Sequence, residues 1–198
     1  MRESKTNRNL LLSHPKPQHS NAPALQWNSS QRYRFMDDSV KLDGFIIEPM
    51  RQSDLSEVLP IERCSFAAPW SQAAFLAEME KTYARLRVAR LPGRGKSRPV
   101  LGYVCFWLVA DEIQITNLAV HIDYRRRGIA RRLLLHALQL GYEAGARLGV
   151  LEVRESNEGA RALYKTVGFV DVQKRSHYYS ESREDALVMV LSLDYGLF

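Results

Sequence analysis

The sequence predicts a mixed α/β domain over residues 44–198 behind a flexible basic extension, residues 1–43. From Gly44 onward strand-like and helix-like patterns alternate, whereas the segment before it, rich in Ser, Asn, Gln, Pro, Lys and Arg, sustains no period of 2 or 3.6. Charge is divided in the same way. Of a formal net charge of +6, residues 1–34 carry +5, with Arg2, Lys5, Arg8, Lys16, Arg32 and Arg34 set against Glu3 alone. Such a segment buries too little apolar surface to offset its ordering entropy. A solvated tail is expected there, with at most weak attraction for nucleic acid.

Composition narrows the class further. With 45% hydrophobic and 25% charged residues the chain is too apolar to be disordered throughout. No apolar run approaches the ~20 residues of a membrane span. Leu10-Leu11-Leu12 is too short for a signal-peptide core. Two cysteines, Cys64 and Cys105, make neither a disulfide framework nor a zinc site, and Cys105 inside Val104-Cys105-Phe106-Trp107 reads as a buried, inert thiol. A reducing cytoplasm is the expected setting, with no membrane partner and no metal.

The elements follow in order. Phe45-Ile46-Ile47 reads as a first strand and Gln52 to about Phe66 as a helix. Ser71 is the expected N-cap of a second helix, with Trp70 packing on Phe75 as a hydrophobic staple. Arg85–Leu91 and Val100–Ala110 read as strands joined by a Pro- and Gly-rich loop. Gly95-Lys96-Ser97 in that loop resembles the end of a nucleotide-binding P-loop, but the glycine five residues earlier is missing (Arg90 stands there) and a strand follows, so we reject it.

In the next strand Ile113 and Ile115 alternate at odd positions, and Leu118, Val120 and Ile122 at even ones. A one-residue slip of phase within a strand is the mark of a β-bulge, which frees backbone groups to bind an extended ligand; a strand that ends early gives the same pattern. Arg125-Arg126-Arg127-Gly128-Ile129-Ala130 leads directly into a helix whose face is Ile129, Leu133, Ala137 and Leu140. A strand, a glycine loop and a helix start present unpaired N–H groups at the positive end of the dipole, which suits phosphate oxygens. A solvated, arginine-rich helix start has the same composition.

Farther on, Val150, Leu151 and Val153 read as a strand buried on both faces and interrupted by Glu152. Desolvation there raises a carboxyl toward the range of a general base, and pairing with Arg154 on the same face is the structural alternative. Ser156 or Asn157 caps a helix ending at Val167 with Gly168 as its left-handed stop, and Tyr164 and Phe169 sit where core aromatics are usual.

Taken together, Arg-x-x-Gly-x-Ala after a bulged strand resembles the coenzyme-A motif of the GCN5-related N-acetyltransferase superfamily. The string from Leu151 to Phe169, with Pro69-Trp70-Ser71, Tyr178-Tyr179 and Arg183-Glu184-Asp185-Ala186, resembles its RimI type, the bacterial ribosomal-protein-alanine N-acetyltransferases. The resemblance covers about residues 45–193. It implies a mixed sheet of about seven strands, the fourth bulged, flanked by about four helices. It also implies acetyl-CoA as cosubstrate, with Arg126, Arg127, Gly128, Ile129, Ala130 and Arg131 around the pyrophosphate. Leu118, Ala119 and Val120 would lie along the pantetheine arm, and Asn157 would also contact the cofactor. Glu152 is then the base, Tyr164 the acid, and Trp70, Tyr178 and Tyr179 shape the acceptor groove. Family members usually carry Asn-Tyr-Tyr-Pro where this chain has His177-Tyr178-Tyr179-Ser180, so groove specificity is where this chain departs.

The implied reaction acetylates a protein N-terminus, the alanine of small-subunit ribosomal protein eighteen. Two rivals stand beside it: acetylation of lysine or a small amine, and a non-catalytic acetyl-CoA-binding or ribosome-associated module.

Overall fold

The computed structural model describes residues 44–92, 98–179 and 183–193. The basic extension and the rejected Gly95-Lys96-Ser97 motif lie outside them. Among the described residues seven strands occur in chain order: β1 (Ile46–Pro49), β2 (Ala84–Arg90), β3 (Val100–Val109), β4 (Glu112–Val120), β5 (Leu148–Arg154), β6 (Val170–Tyr179) and β7 (Glu184–Ser192). Four helices connect them: α1 (Leu55–Ser65), α2 (Gln72–Glu80), α3 (Ile129–Glu143) and α4 (Glu158–Val167).

The strands form one sheet in the order β1-β2-β3-β4-β5-β7-β6. Every neighbouring pair is antiparallel except β4 with β5, which are joined through α3. A crossover helix is what a parallel pair requires. The seven strands, four helices and bulged fourth strand are those the resemblance implies.

Each face of the sheet has its own core. On one, Ile129, Leu133 and Ala137 of α3 and Tyr164 and Val167 of α4 pack with Ile113, Ile115, Leu151 and Met189. On the other, Leu55, Val58 and Ile61 of α1 and Phe75 of α2 pack with Leu86, Val88 and Tyr103. The local signals of the sequence are present in the fold. Ser71 Oγ accepts from the Ala74 N–H at 3.1 Å, and the Trp70 and Phe75 rings meet edge-on with centroids 5.3 Å apart. Cys105 is fully buried, and burial pushes its thiol well above its usual range.

Arg90, in contrast, is a buried cation that hydrophobic patterning does not announce. Its guanidinium pairs with Asp54 at 2.6 Å, Glu57 at 3.1 Å and Glu48 at 3.3 Å, joining the start of α1 to β1 and β2. Replacing Arg90 with Met leaves the buried Asp54 carboxylate without its counter-charge. The expected cost is roughly 3 kcal/mol, the low end for breaking a buried pair, because Glu48 and Glu57 keep solvent contact. Denaturant unfolding of the variant measures it.

Candidate active site

Pairing between β3 and β4 shows where the strand slips. Val104 faces Leu118 and Cys105 faces Asn117, but Phe106 faces Ile115, so Thr116 is the extra residue of a bulge. The phase change seen in the sequence is this bulge. Ile113 and Ile115 before it and Leu118 and Val120 after it all pack on the α3 side, while Ala119 joins the opposite core.

At the same place the sheet opens. Parallel pairing of β4 with β5 runs from Glu112 opposite Leu148 to Ile115 opposite Leu151 and stops. Beyond it Leu118–Val120 pair with β3, and Glu152–Arg154 pair with β7. Two strands that share a sheet thus leave a notch between them, lined on one side by the residues expected to follow pantetheine.

The start of α3 follows the end of β4 after a short loop. Gly128 is its N-cap with φ +77°, and a Cβ added there would meet nothing within 4 Å, so the space over the turn is open. Ile129 is buried and anchors the helix, whereas Arg126 and Arg127 are exposed. The first N–H groups of any helix have no intrahelical partner. Here they stand beside open space with two exposed guanidinium groups next to them, which fits a pyrophosphate. Arg125 has different work: its Nε donates to the Val120 carbonyl at 3.1 Å and its Nη2 to Ser65 Oγ at 3.0 Å, fastening the loop to the end of β4. Asn157 Oδ1 accepts from the Ala160 N–H at 3.2 Å and caps α4.

Glu152 is the first residue of β5 past the last β4 pair. The expectation that this strand is buried on both faces is corrected. Leu151 and Val153 are buried, but Val150, Glu152 and Arg154 share a half-exposed face. The Arg154 alternative fails as well, because Arg154 pairs with Glu184 at 3.2 Å. Glu152 instead forms an ion pair with Arg175 of β6, and burial, together with the neighbouring Glu152 carboxylate, pushes the Tyr178 phenol up to about 12. Tyr178 and Tyr179 meet edge-on at 5.3 Å, and the Arg154 guanidinium lies 3.7 Å over the Tyr179 ring. Tyr164 is buried against Phe169, ring centroids 5.9 Å apart, and burial, reinforced by Tyr179, pushes its phenol up to about 12.

The family model described as the Acetyltransferase (GNAT) family matches residues 55–169, more than half of the chain. The chain belongs to that family. A Bacillus subtilis (strain 168) relative is 36% identical over 149 residues, 75% of this chain and 95% of its own. The [ribosomal protein bS18]-alanine N-acetyltransferase of Escherichia coli (strain K12) is 33% identical over 149 residues, 74% of this chain and 97% of that enzyme. The crystal structure of the ribosomal-protein-S18-alanine N-acetyltransferase from Escherichia coli superposes with a TM-score of 0.66 at 31% identity, covering 75% of this chain and 93% of that one. The protein is an acetyl-CoA-dependent N-acetyltransferase. Among the described residues no group of three His, Cys, Asp or Glu side chains is placed to hold a metal ion, and no helix is long and apolar enough to cross a membrane.

Two parts of this acetyltransferase site escaped sequence reasoning. The first is Glu62 of α1, 1% exposed. It accepts from the Trp70 N–H at 2.7 Å, from Asn117 Nδ2 at 3.2 and 3.3 Å, and from the Tyr103 hydroxyl. One carboxylate therefore ties the loop bearing Trp70 to the bulge. Burial raises its pKa, against the lowering effect of the Trp70 and Asn117 hydrogen bonds. The available signal was a lone acid within the apolar stripe Leu55, Val58, Ile61. The second is the reason for Arg183-Glu184-Asp185-Ala186. Glu184 accepts from the Ser156 N–H at 2.9 Å, and Asp185 from the His177 N–H at 2.8 Å. Ser156, through its side chain and then its N–H, holds the Glu184 carboxyl below its usual range, and the His177 N–H does the same for Asp185.

Proposed function

We propose that the enzyme acetylates the α-amine of a protein N-terminus, that its acceptor is the N-terminal alanine of ribosomal protein bS18, and that Glu152 acts as base and Tyr164 as acid. The observation that carries the reading is the position of Glu152 at the point where β4 and β5 part, in a chain that spans 97% of the Escherichia coli enzyme of that name. A ribosomal acceptor also puts the reaction in the cytoplasm.

The notch is suited to hold the pantetheine arm along Leu118, Ala119 and Val120, while Arg126, Arg127 and the amides of Gly128, Ile129, Ala130 and Arg131 take the pyrophosphate and Asn157 adds a contact. Trp70, Tyr178 and Tyr179 shape the acceptor groove. Positioning of amine against thioester supplies several kcal/mol of the acceleration. The nitrogen–carbon bond forms and the carbon–sulfur bond breaks. Glu152 takes the amine proton and the Tyr164 hydroxyl, kept neutral by burial, protonates the sulfur; exchange with solvent resets both. An α-amine of pKa ~7.7–8.0 is about one-tenth neutral at pH 7, against roughly one in two thousand for lysine at ~10.4. A carboxylate with a counter-cation is a modest base, which suits the α-amine.

CoA release with acetyl-CoA and two peptides tests the reading. One peptide begins with a free Ala and bS18 sequence; the other is the same peptide α-blocked with an internal Lys. Release is expected with the free terminus alone. Release with both favours lysine or small-amine transfer, and release with neither favours the non-catalytic module.

A further inference from the structure

We propose that Arg175 is a specificity-determining positioning residue: a resident cation that neutralises Glu152, so that the acceptor site selects a neutral α-amine over a protonated one. This rests on the reading of Glu152 as base.

The pair is built by the fold. Glu152 and Arg175 belong to strands separated by β7, where Val188 stands opposite Glu152 and Ala186 opposite Arg175, so the guanidinium reaches the carboxylate diagonally across β7 on the side of its smaller residue. A regular strand would place Arg175 and Tyr178 on opposite faces. Between Arg175 and Tyr179 the β6–β7 register slips, and His177 adopts φ +54°, held by its N–H to Asp185. The irregularity brings Tyr178 beside Arg175, whose guanidinium lies 5.6 Å from the Tyr178 ring centroid.

The surrounding charges are committed elsewhere. On β5, Arg154 is held by Glu184 and stacks over Tyr179. On β6, Lys174 pairs with Glu155 at 2.7 Å and Asp185 at 3.0 Å. Tyr164 on α4 stands beside Tyr179 with its phenol raised. Arg175 is therefore the counter-charge of Glu152 among the described residues. Both side chains keep solvent contact, 33% and 25% exposed, and an ion pair so placed contributes little to stability.

Its effect on chemistry is larger. A bare carboxylate within a few ångströms of an amine favours the ammonium form, typically by ~1–3 pKa units. The ammonium binds but cannot attack. With Arg175 in place the acceptor meets a neutral pair, so the ammonium gains little and the neutral amine loses nothing. The discrimination falls hardest on lysine, whose side chain is almost wholly protonated.

The test compares kcat–pH profiles of wild type, Arg175→Gln, Arg175→Lys, Glu152→Gln and the Arg175→Gln/Glu152→Gln double variant, using the free-Ala peptide. For Arg175→Gln the acidic limb should move up by about one pH unit. Its KM for the peptide should fall, and the α-blocked Lys peptide should become a competitive inhibitor. Arg175→Lys should restore the wild-type limb, and the double variant should show no shift relative to Glu152→Gln. An unmoved limb in Arg175→Gln, with Glu152→Gln impaired, overturns the inference and leaves the base in place. Equal shifts in the Gln and Lys variants also overturn it, since packing rather than charge is then at work. Wild-type turnover and profile in Glu152→Gln overturn the base itself.

Discussion

Glu152→Gln lowers kcat for the free-Ala peptide by about 10²–10⁴-fold, the usual worth of a positioned general base, while acetyl-CoA binds as to wild type. Gln keeps the shape of the side chain but cannot take a proton. Glu152 lies on the half-exposed face of β5, so no core packing changes with it. Tyr164→Phe is the companion. It retains the ring against Phe169 and removes only the hydroxyl. Steady-state CoA release gives kcat, and calorimetric titration gives acetyl-CoA affinity. Wild-type turnover in both variants with normal binding would make both role assignments wrong.

Glu62→Ala has the largest expected effect on stability. It strands three donors: the Trp70 N–H, the Tyr103 hydroxyl and Asn117 Nδ2. At ~1–3 kcal/mol for each buried donor left unsatisfied, partly relieved by water entering the space, the cost is roughly 3–6 kcal/mol. Glu62→Gln should cost far less. Its carbonyl still serves Trp70, and its NH₂ can donate to Asn117 Oδ1, a buried oxygen without a hydrogen-bond partner among the described residues. The two variants also differ in pH behaviour. Because burial holds the folded-state pKa of Glu62 above its unfolded value, the carboxyl contributes stability that is full below the unfolded pKa and lost as pH rises through the folded one. Glu62→Gln has no such loss, so its stability relative to wild type improves with rising pH. Denaturant unfolding across acidic to neutral pH measures both effects.

Whatever depends on neighbours in sequence was legible. The Ser71 cap, the Trp70 staple, the Gly168 stop and the α3 face are local, and the bulge at Thr116 left its mark because a slipped strand must change the parity of its apolar residues. What depends on strand order was not. Arg175 meets Glu152 only because β7 inserts between β5 and β6, an arrangement no periodicity encodes. For the same reason Arg154, two residues from Glu152 and the obvious partner by spacing, went instead to Glu184 of β7. Glu62 was hidden differently: a buried acid and a surface acid on a helix look alike until the strand beneath supplies Tyr103 and Asn117.

The short run of parallel pairing between β4 and β5 has a mechanical consequence. Four residue pairs are the seam between a four-stranded and a three-stranded half-sheet, with α3 and α4 bridging them on one face. A molecule lying in the notch extends that seam by acting as the missing length of strand. Under the proposed placement of pantetheine in the notch, the cosubstrate is also a splint: each turnover removes it, and the two halves of the sheet are most firmly joined while the donor is bound.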